Sequence, residues 1–340
     1  MTESGSSLQN PMYKSIGFGV AVYLVFMLIL GFYWSREPDR FNVNEVAREM
    51  ASENGRDENI IGYTTTATII HSMTVLLDKP GGFLSNDLSP LVPGGFYLDN
   101  IPNWEKGALQ QLRDLTRVLR KNISRSQSQS QEDKDLPDAE EKFYFSMNSW
   151  LVPRSETRYA GGIDSLEQYL LRLSDPNEKD AQFYARADNL GYWLAEVETR
   201  LGSLSQRLSA SVGKRQLNVD LAGDSAAAQS TKADADMMLK TPWTELDDVF
   251  YEARGSTWAL IHLLQAIEKD FEDILKKKNA LISLQQIIRE LEPTQDFVYW
   301  PIILNGDGFG VVANHSLVMA SYIARANAAI IDLRKLLQEG

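Results

Sequence analysis

An uninterrupted apolar segment near the N-terminus constrains this chain more than any other feature. Residues 15–34 are 20 residues without a charged or amide side chain, enough at about 1.5 Å per residue to cross a hydrocarbon core of about 30 Å. Aromatic residues and a cation stand at both ends, as at the two interfaces of a bilayer. The apolar run ends in bulky residues, Phe32, Tyr33 and Trp34, where a signal peptidase needs small ones. The segment is therefore predicted to be an uncleaved, single transmembrane anchor after a short tail, residues 1–14.

The charges beside the anchor leave its orientation open. One cation, Lys14, precedes it, whereas Arg36, Arg40 and Arg48 follow it, and by the positive-inside rule this count favours a cytoplasmic domain. Long domains, however, translocate largely regardless of charge, and acidic residues accompany the distal arginines. The residues alone therefore favour neither side strongly.

The acidic balance of the chain limits its partners. The 340 residues carry a formal net charge of −12, and binding to phosphates requires an excess of Lys and Arg on one face. Nucleic acid is therefore not an expected partner. The absence of cysteine excludes disulfides, thiolate metal sites and cysteine nucleophiles.

Two polar stretches interrupt the predicted extramembrane domain, residues 35–340. Residues 124–142 are rich in Ser, Gln, Asp and Glu, and residues 213–240 are rich in Ala, Ser and Asp. Neither composition buries enough apolar area to offset the loss of chain entropy. Both stretches are predicted to be mobile surface loops. A third stretch, residues 60–77, is apolar but contains five threonines, so a buried helix is favoured over a second membrane span.

Apolar residues recur at helical spacing on either side of the second polar stretch. Between Leu190 and Leu208 they alternate in steps of four and three, the pattern of a coiled-coil seam, and between Leu246 and Ile288 they recur every seven residues. Gly255 is the candidate break in the second segment. We expect residues 185–212 and 244–292 to pack side by side as an antiparallel hairpin.

The second of these segments is the longer one, so part of it needs another partner. We expect that partner to be a C-terminal helix, residues 316–338, which would contact it through Leu317, Ala324, Ile331 and Leu337. The predicted fold class is therefore mostly α: an N-terminal single transmembrane helix followed by an α-helical bundle with a long helical hairpin.

A segment rich in proline and glycine, residues 79–103, carries most of the candidate binding residues. Its four prolines and four glycines exclude a regular element, and its aromatic residues argue against disorder. If the domain has a functional pocket, we expect this segment and the turn at residues 305–310 to line it. The predicted binding residues are Lys79, Asp87, Asp99, Trp104, Glu105, Asn305 and Asp307. The alternative is that the segment is a structural plug over the helices.

The turn at residues 305–310 has no nucleotide signature. A dinucleotide fingerprint needs glycine where Val311 stands, and a phosphate loop needs a Lys-Ser/Thr pair that is missing here. A tight turn before a helix capped by Asn314 or Ser316 accounts for the sequence. The three histidines lack the short spacing of a zinc helix, and no Gly-x-Ser-x-Gly elbow occurs. No cofactor, metal or catalytic residue is predicted.

Several long runs resemble an uncharacterised family of bacterial envelope proteins, classed only as a domain of unknown function. The runs are KPGGFLSND, LDNIPNWEKGAL, KTPWTELDDVFYEARGSTWALIHLL, KKNALISLQQIIREL and ILNGDGFGVVANHSLVMASYIARANAAIIDLR, and the resemblance covers residues 40 to 337. It implies a Gram-negative source and an inner-membrane location, and it favours a periplasmic domain. It supplies no reaction and no catalytic residues.

Two functions are consistent with these features. The first is a non-enzymatic envelope protein, tethered to the bilayer through residues 15–34, that binds a protein partner or a second copy of itself. The second is a tethered enzyme acting on an envelope polymer or lipid, with Asp87, Asp99 or Glu105 as its general acid. A raised carboxylate pKa in a cleft would favour the enzyme.

Overall fold

The computed structural model describes residues 11–87, 89–94, 97–126, 132–217, 236–298 and 303–339, with the backbone alone for residues 11, 12, 214–217 and 236–239. This part of the chain forms eleven α-helices and one antiparallel β-hairpin. The helices are α1 (Pro11–Trp34), α2 (Val43–Asn54), α3 (Tyr63–Asp78), α4 (Asn100–Val118), α5 (Leu136–Phe143), α6 (Ser155–Leu173), α7 (Ala187–Ser209), α8 (Leu246–Asp270), α9 (Glu272–Lys277), α10 (Leu281–Leu291) and α11 (His315–Glu339); the strands are β1 (Lys214–Leu217) and β2 (Asp236–Leu239).

Helix α1 projects from the domain and leaves most of its side chains exposed. Only 6% of the most apolar window within Tyr13–Trp34 is buried. Helix α11 is also long and apolar enough to cross a membrane, but 39% of its most apolar window is buried inside the domain. The predicted fold class, an apolar N-terminal helix followed by a mostly helical domain, is confirmed.

Helix α8 lies at the centre of the domain and is buried on nearly every side. It packs against α3, α4 and α10, and it runs parallel to α4, with Asn103 bonded to Asp248 and Gln111 bonded to Ser256. Gly255 lies inside α8, so the helix continues through this candidate break. The helical segment ends instead at Phe271, and a second interruption occurs at Asn279, whose φ of 53° is left-handed.

Helix α7 has α11 as its main partner. The apolar seam from Leu190 to Leu208 is buried as predicted. The hydrogen bond from Ser205 to Ala320 and the ion pair between Glu198 and Arg334 show that α7 and α11 are antiparallel. Helices α7 and α8 touch, through Arg207 and Glu252 for example, but they share few contacts. The pairing of α7 with α8 along their length is therefore wrong, because periodicity identifies a buried face without identifying what covers it.

The buried face of α11 also differs from the predicted one. Met319, Ile323, Ala326, Ile330 and Leu333 are buried, whereas Ala324 is exposed and Leu317 and Ile331 are only partly covered; Leu337 is buried as expected. Helix α11 lies between α7 and α10 and has little contact with α8. The buried residues do follow a seven-residue repeat, but the row Ile323, Ile330 and Leu337 lies one position before the predicted row of Leu317, Ala324 and Ile331.

The apolar stretch at residues 60–77 forms α3, which is buried as predicted. Gly62 precedes this helix and has no side chain to cap it, so Asp270 from the end of α8 does so instead. Its carboxylate accepts hydrogen bonds from the backbone N–H and the hydroxyl of Thr65, both at 2.6 Å. The cap joins the start of α3 to the end of α8.

The first polar stretch, residues 124–142, contains regular structure that its composition did not indicate. Residues 136–142 belong to α5, which packs against α6 through Leu136, Ala139 and Phe143. Arg172 fixes the start of this helix by pairing with Asp133 and Asp135 at 2.8 and 2.6 Å. The prediction that the whole stretch is a loop is therefore wrong, because the three apolar side chains pack against α6. Of the two loops predicted to be mobile, residues 127–131 and 218–235 lie outside the described residues.

Candidate functional site

The segment between α1 and α2, residues 35–42 and here called the linker, is docked on α8. Its backbone is irregular, and alternate residues, Glu37, Asp39 and Phe41, provide the contacts. The carboxylate of Glu37 accepts three hydrogen bonds from the Arg254 guanidinium, at 2.5 to 2.9 Å. Arg254 also donates to the carbonyl oxygens of Thr294 and Asp296. Because Arg254 is buried, its charge depends on this set of partners.

The end of the linker is fixed by an aromatic cluster. The ring of Phe41 stacks on His262 with 3.9 Å between centroids and meets His71 edge to face at 4.4 Å. The Phe41 N–H donates to Nε2 of His262 at 3.1 Å, and Nδ1 lies 2.8 Å from the Trp258 carbonyl oxygen. His262 therefore has its proton on Nδ1 and is neutral. Burial lowers the pKa of His262 to about 4.

A cavity of about 600 Å³ opens where α1 meets the domain. Its lining combines the end of α1 and the linker with α8 and residues near Phe297. Arg36 lies in this lining, is exposed, and has no hydrogen bond or ion pair within the described part of the chain. Arg40, by contrast, pairs with Glu292 at 3.1 Å. Arg36 is therefore available to an anion at the junction.

Lys79 and Glu105, two of the predicted binding residues, form a buried ion pair. Their charged atoms are 2.5 Å apart, and the side chains are 1% and 0% exposed. Glu105 also accepts from the backbone N–H groups of Leu84 and Ser85 at 2.8 and 2.9 Å and from the Ser85 hydroxyl. Lys79 donates further to the Gly82 carbonyl. Both Glu105 oxygens are occupied, so this carboxylate holds the loop at residues 79–85 against α4, which agrees with the plug alternative.

The other candidates in this segment have different surroundings. Asp87 accepts from the Ser89 N–H at 3.0 Å and packs closely on Gly94. Asp99 is exposed and precedes α4. Trp104 is buried against Trp258, with 5.1 Å between ring centroids, and its indole N–H has no acceptor among the described residues.

Asn305 and Asp307 belong to a turn that closes on itself. Asn305 and Asn314 form an antiparallel bridge, flanked by hydrogen bonds from Gly306 to Ala313 and from His315 to Leu304. Asn314 caps α11 through the Leu317 N–H at 2.8 Å, as one of the two predicted caps. Asp307 is exposed.

None of the seven predicted residues lines the cavity at the end of α1. Two further cavities, one beside the linker and one beside the turn, also lack them among their described lining residues. In the described ranges, no three His, Asp or Glu side chains converge as they would around a metal ion. A binding role for Asp87, Asp99, Asn305 and Asp307 stays a prediction.

The residues that dock the linker were not predicted, although a pattern in the sequence marks them. Phe250, Arg254, Trp258 and His262 recur every four residues and form one stripe along α8. A cation and a histidine within an otherwise apolar stripe require partners from elsewhere in the chain. The linker carries the matching pattern, in which every second residue, Glu37, Asp39 and Phe41, contacts α8.

A raised carboxylate pKa occurs next to one of the predicted acids. Partial burial and the carboxylates of Asp99, Asp247 and Glu245 raise the pKa of Asp248 to about 6. The side chain of Asn103 donates to Asp248 at 2.7 Å. Asp248 does not line any of the three cavities described above.

The fold and the docked linker together define a helical domain fixed to the end of an apolar N-terminal helix. The chain belongs to a family of uncharacterised proteins conserved in bacteria (DUF2333), whose profile matches residues 7–340. The predicted family resemblance is thereby confirmed. No curated protein and no solved structure matches the chain.

Proposed function

We propose that the chain is a single-pass protein of the bacterial inner membrane whose periplasmic domain is a non-enzymatic interaction module. Helix α1, through residues 15–34, is its bilayer anchor. The domain binds another envelope protein or a second copy of the chain. No nucleic acid and no cofactor takes part.

The docked linker is the observation that carries this proposal. Glu37 is held by Arg254, the Asp39 carbonyl oxygen accepts from the Trp258 indole at 3.3 Å, and Phe41 is held by His262. The domain therefore keeps one orientation relative to α1. Such an arrangement suits a module that presents one surface at a constant height above the bilayer, whereas a tethered enzyme that searches for substrate gains from a free linker.

Photocrosslinking in living cells tests the interaction. A photoreactive amino acid is placed, one position at a time, at exposed apolar residues: Trp243, Ile282 and Phe309. We expect a discrete adduct at one or more positions, identified by mass spectrometry as a defined protein or as a second copy. If none of the variants yields a discrete adduct, the interaction module is contradicted.

Orientation needs its own measurement. Alkaline phosphatase fused after Gly340 is expected to be active, because the enzyme matures only on the periplasmic side. An inactive fusion that is well expressed would place the domain in the cytoplasm.

A tethered enzyme is the second candidate, and the raised pKa of Asp248 beside Asp99 is the observation that favours it. Glu105 is not suitable as its general acid, since both of its oxygens are occupied. An enzyme that uses Asp248 would lose the cellular function in Asp248→Asn while the protein folds normally. The interaction module predicts that this variant complements a deletion strain fully.

A further inference from the structure

A loop of the domain contacts the side of α1. Three contacts mark its course. Gly81 packs against the Trp34 ring, a Cβ atom added at Gly31 would lie 3.4 Å from Pro93 and 3.9 Å from Leu98, and the Tyr23 hydroxyl donates to the Leu91 carbonyl oxygen at 2.8 Å. The contacts therefore advance along α1 from its domain end towards its middle.

The position of Tyr23 gives the depth that the loop reaches. Trp34 and Tyr23 are eleven residues apart, which corresponds to roughly 16 Å along a helix at about 1.5 Å per residue. A bilayer has a hydrocarbon core of about 30 Å. If Trp34 lies at the interface, as aromatic residues at the ends of spans do, then the Leu91 carbonyl lies near the middle of the core.

The sequence of the loop suits that location. No charged residue occurs from Leu88 to Leu98, and acidic residues, Asp87 and Asp99, flank the stretch on both sides. Pro90 and Pro93 have no N–H to satisfy. The described residues that contact α1, Gly81, Leu91, Pro93 and Leu98, are thus all uncharged.

Five of the six backbone N–H groups among the described loop residues, 89–94 and 97–98, have acceptors inside the protein. The Tyr97 hydroxyl donates to the Pro90 carbonyl oxygen at 3.0 Å. Backbone N–H groups with acceptors belong to Ser89, Leu91, Gly94, Tyr97 and Leu98. Irregular backbone is stable at membrane depth only when its polar groups are satisfied in this way.

Tyr23 itself points to the same arrangement. It is the only polar side chain between Ile16 and Phe32, and a hydroxyl in hydrocarbon without an acceptor is costly. The Leu91 carbonyl oxygen supplies that acceptor and is satisfied in return.

We propose that this loop, residues 89–94 and 97–98, is a re-entrant segment that enters the acyl-chain region of the bilayer beside α1. Its ligand is the acyl chains of phospholipids, which contact Leu91. The protein leaves 71% of the surface of this residue exposed. The proposal rests on the assignment of α1 as a membrane anchor. The domain then contacts the bilayer at two places, and its height and rotation about α1 are both fixed.

Fluorescence quenching by brominated lipids tests the loop and the anchor separately. The chain has no cysteine, so single cysteines can be labelled specifically with an environment-sensitive fluorophore. Three variants are compared in the full-length protein: Leu91→Cys in the loop, Leu28→Cys in α1, and Lys335→Cys at the distal end of α11, all at exposed positions. Each is reconstituted in phosphatidylcholine vesicles with or without bromine on the acyl chains.

We expect the label at position 91 to be quenched by at least half of the extent seen at position 28, with no quenching at position 335. Quenching at 28 without quenching at 91 would overturn the re-entrant loop and leave the anchor intact. Absence of quenching at 28 would overturn the anchor and, with it, the loop. A water-soluble maleimide provides the second measurement: position 335 should react fully, and position 91 at least tenfold more slowly.

Discussion

Gly255 in the middle of α8 packs directly against the backbone of Trp104 in α4, so closely that a Cβ atom on Gly255 would overlap the Trp104 carbonyl oxygen. Gly107 has the same relationship to the Glu252 carbonyl. Two glycines, one from each helix, therefore let α4 and α8 approach closely along the core. Glycine costs helix stability at both positions, and the close packing offsets that cost.

Alanine at either glycine should destabilise the domain by about 1–3 kcal/mol, because the added methyl group forces the two backbones apart. Gly191 in α7, where an added Cβ atom would have no neighbour within 4 Å, is the matched control. Gly191→Ala should raise stability by about 0.5–1 kcal/mol through helix propensity. Chemical denaturation of the three variants measures the difference, and equal effects at all three positions would contradict the close crossing.

Breaking the buried pair between Lys79 and Glu105 should cost about 3–5 kcal/mol, because the remaining charge is left without a partner in the interior. Lys79→Met and Glu105→Gln are the test variants. Asp332→Asn, which removes an exposed partner of Lys335, is the control and should have no measurable effect on the melting temperature. A neutral result for Lys79→Met would show that the pair is not buried in solution.

The folded domain should lose stability in acid through His262, which holds the linker. His262 has a folded pKa of about 4, below its ordinary value near 6.5, so the unfolded chain binds the proton more readily. Stability from the neutral imidazole is full above pH 6.5 and is lost as the pH falls towards 4, by roughly 3 kcal/mol in total. His262→Gln should lack this component, so the gap in unfolding free energy between the two proteins should narrow over that range. A gap independent of pH would disprove the buried neutral histidine.

A cysteine crosslink can verify the partner of α7. A Cβ atom at Gly202 would lie 3.6 Å from the side-chain amide nitrogen of Asn327 on α11, so cysteines at 202 and 327 should be joined by a short bifunctional maleimide. No native cysteine competes. Cysteines at 191 and 327 are the control, because Gly191 lies roughly 16 Å further along α7. Crosslinking of the control pair, or failure of the first, would refute the antiparallel register.

Periodicity predicted the elements better than it predicted their partners. The seam from Leu190 to Leu208 and the buried helix at residues 63–78 both follow from spacing and composition within one segment. The choice of α11 over α8 as the partner of α7 depends on how all the apolar faces fit together, and spacing within one helix has no information about that. The same limit explains why α5 was missed, since its burial depends on α6.

For the candidate site, sequence identified residue types but not their roles. Lys79 and Glu105 stood out as charges in a segment rich in glycine and proline, and they are in contact, but as an internal ion pair. The pair between Glu37 and Arg254 spans 217 positions in the chain. Only the folded arrangement brings such residues together, although the stripe of Phe250, Arg254, Trp258 and His262 indicated that something must cover it.

The docked linker has a mechanical consequence. A free chain of eight residues has a root-mean-square end-to-end distance of about 16 Å, so a domain on such a chain would sample many heights and angles. With Glu37 and Phe41 bound to α8, the linker and the central helix form a single stalk. If α1 is the bilayer anchor proposed above, any tilt that a thinner or thicker bilayer imposes on α1 is transmitted through the docked linker to the whole domain.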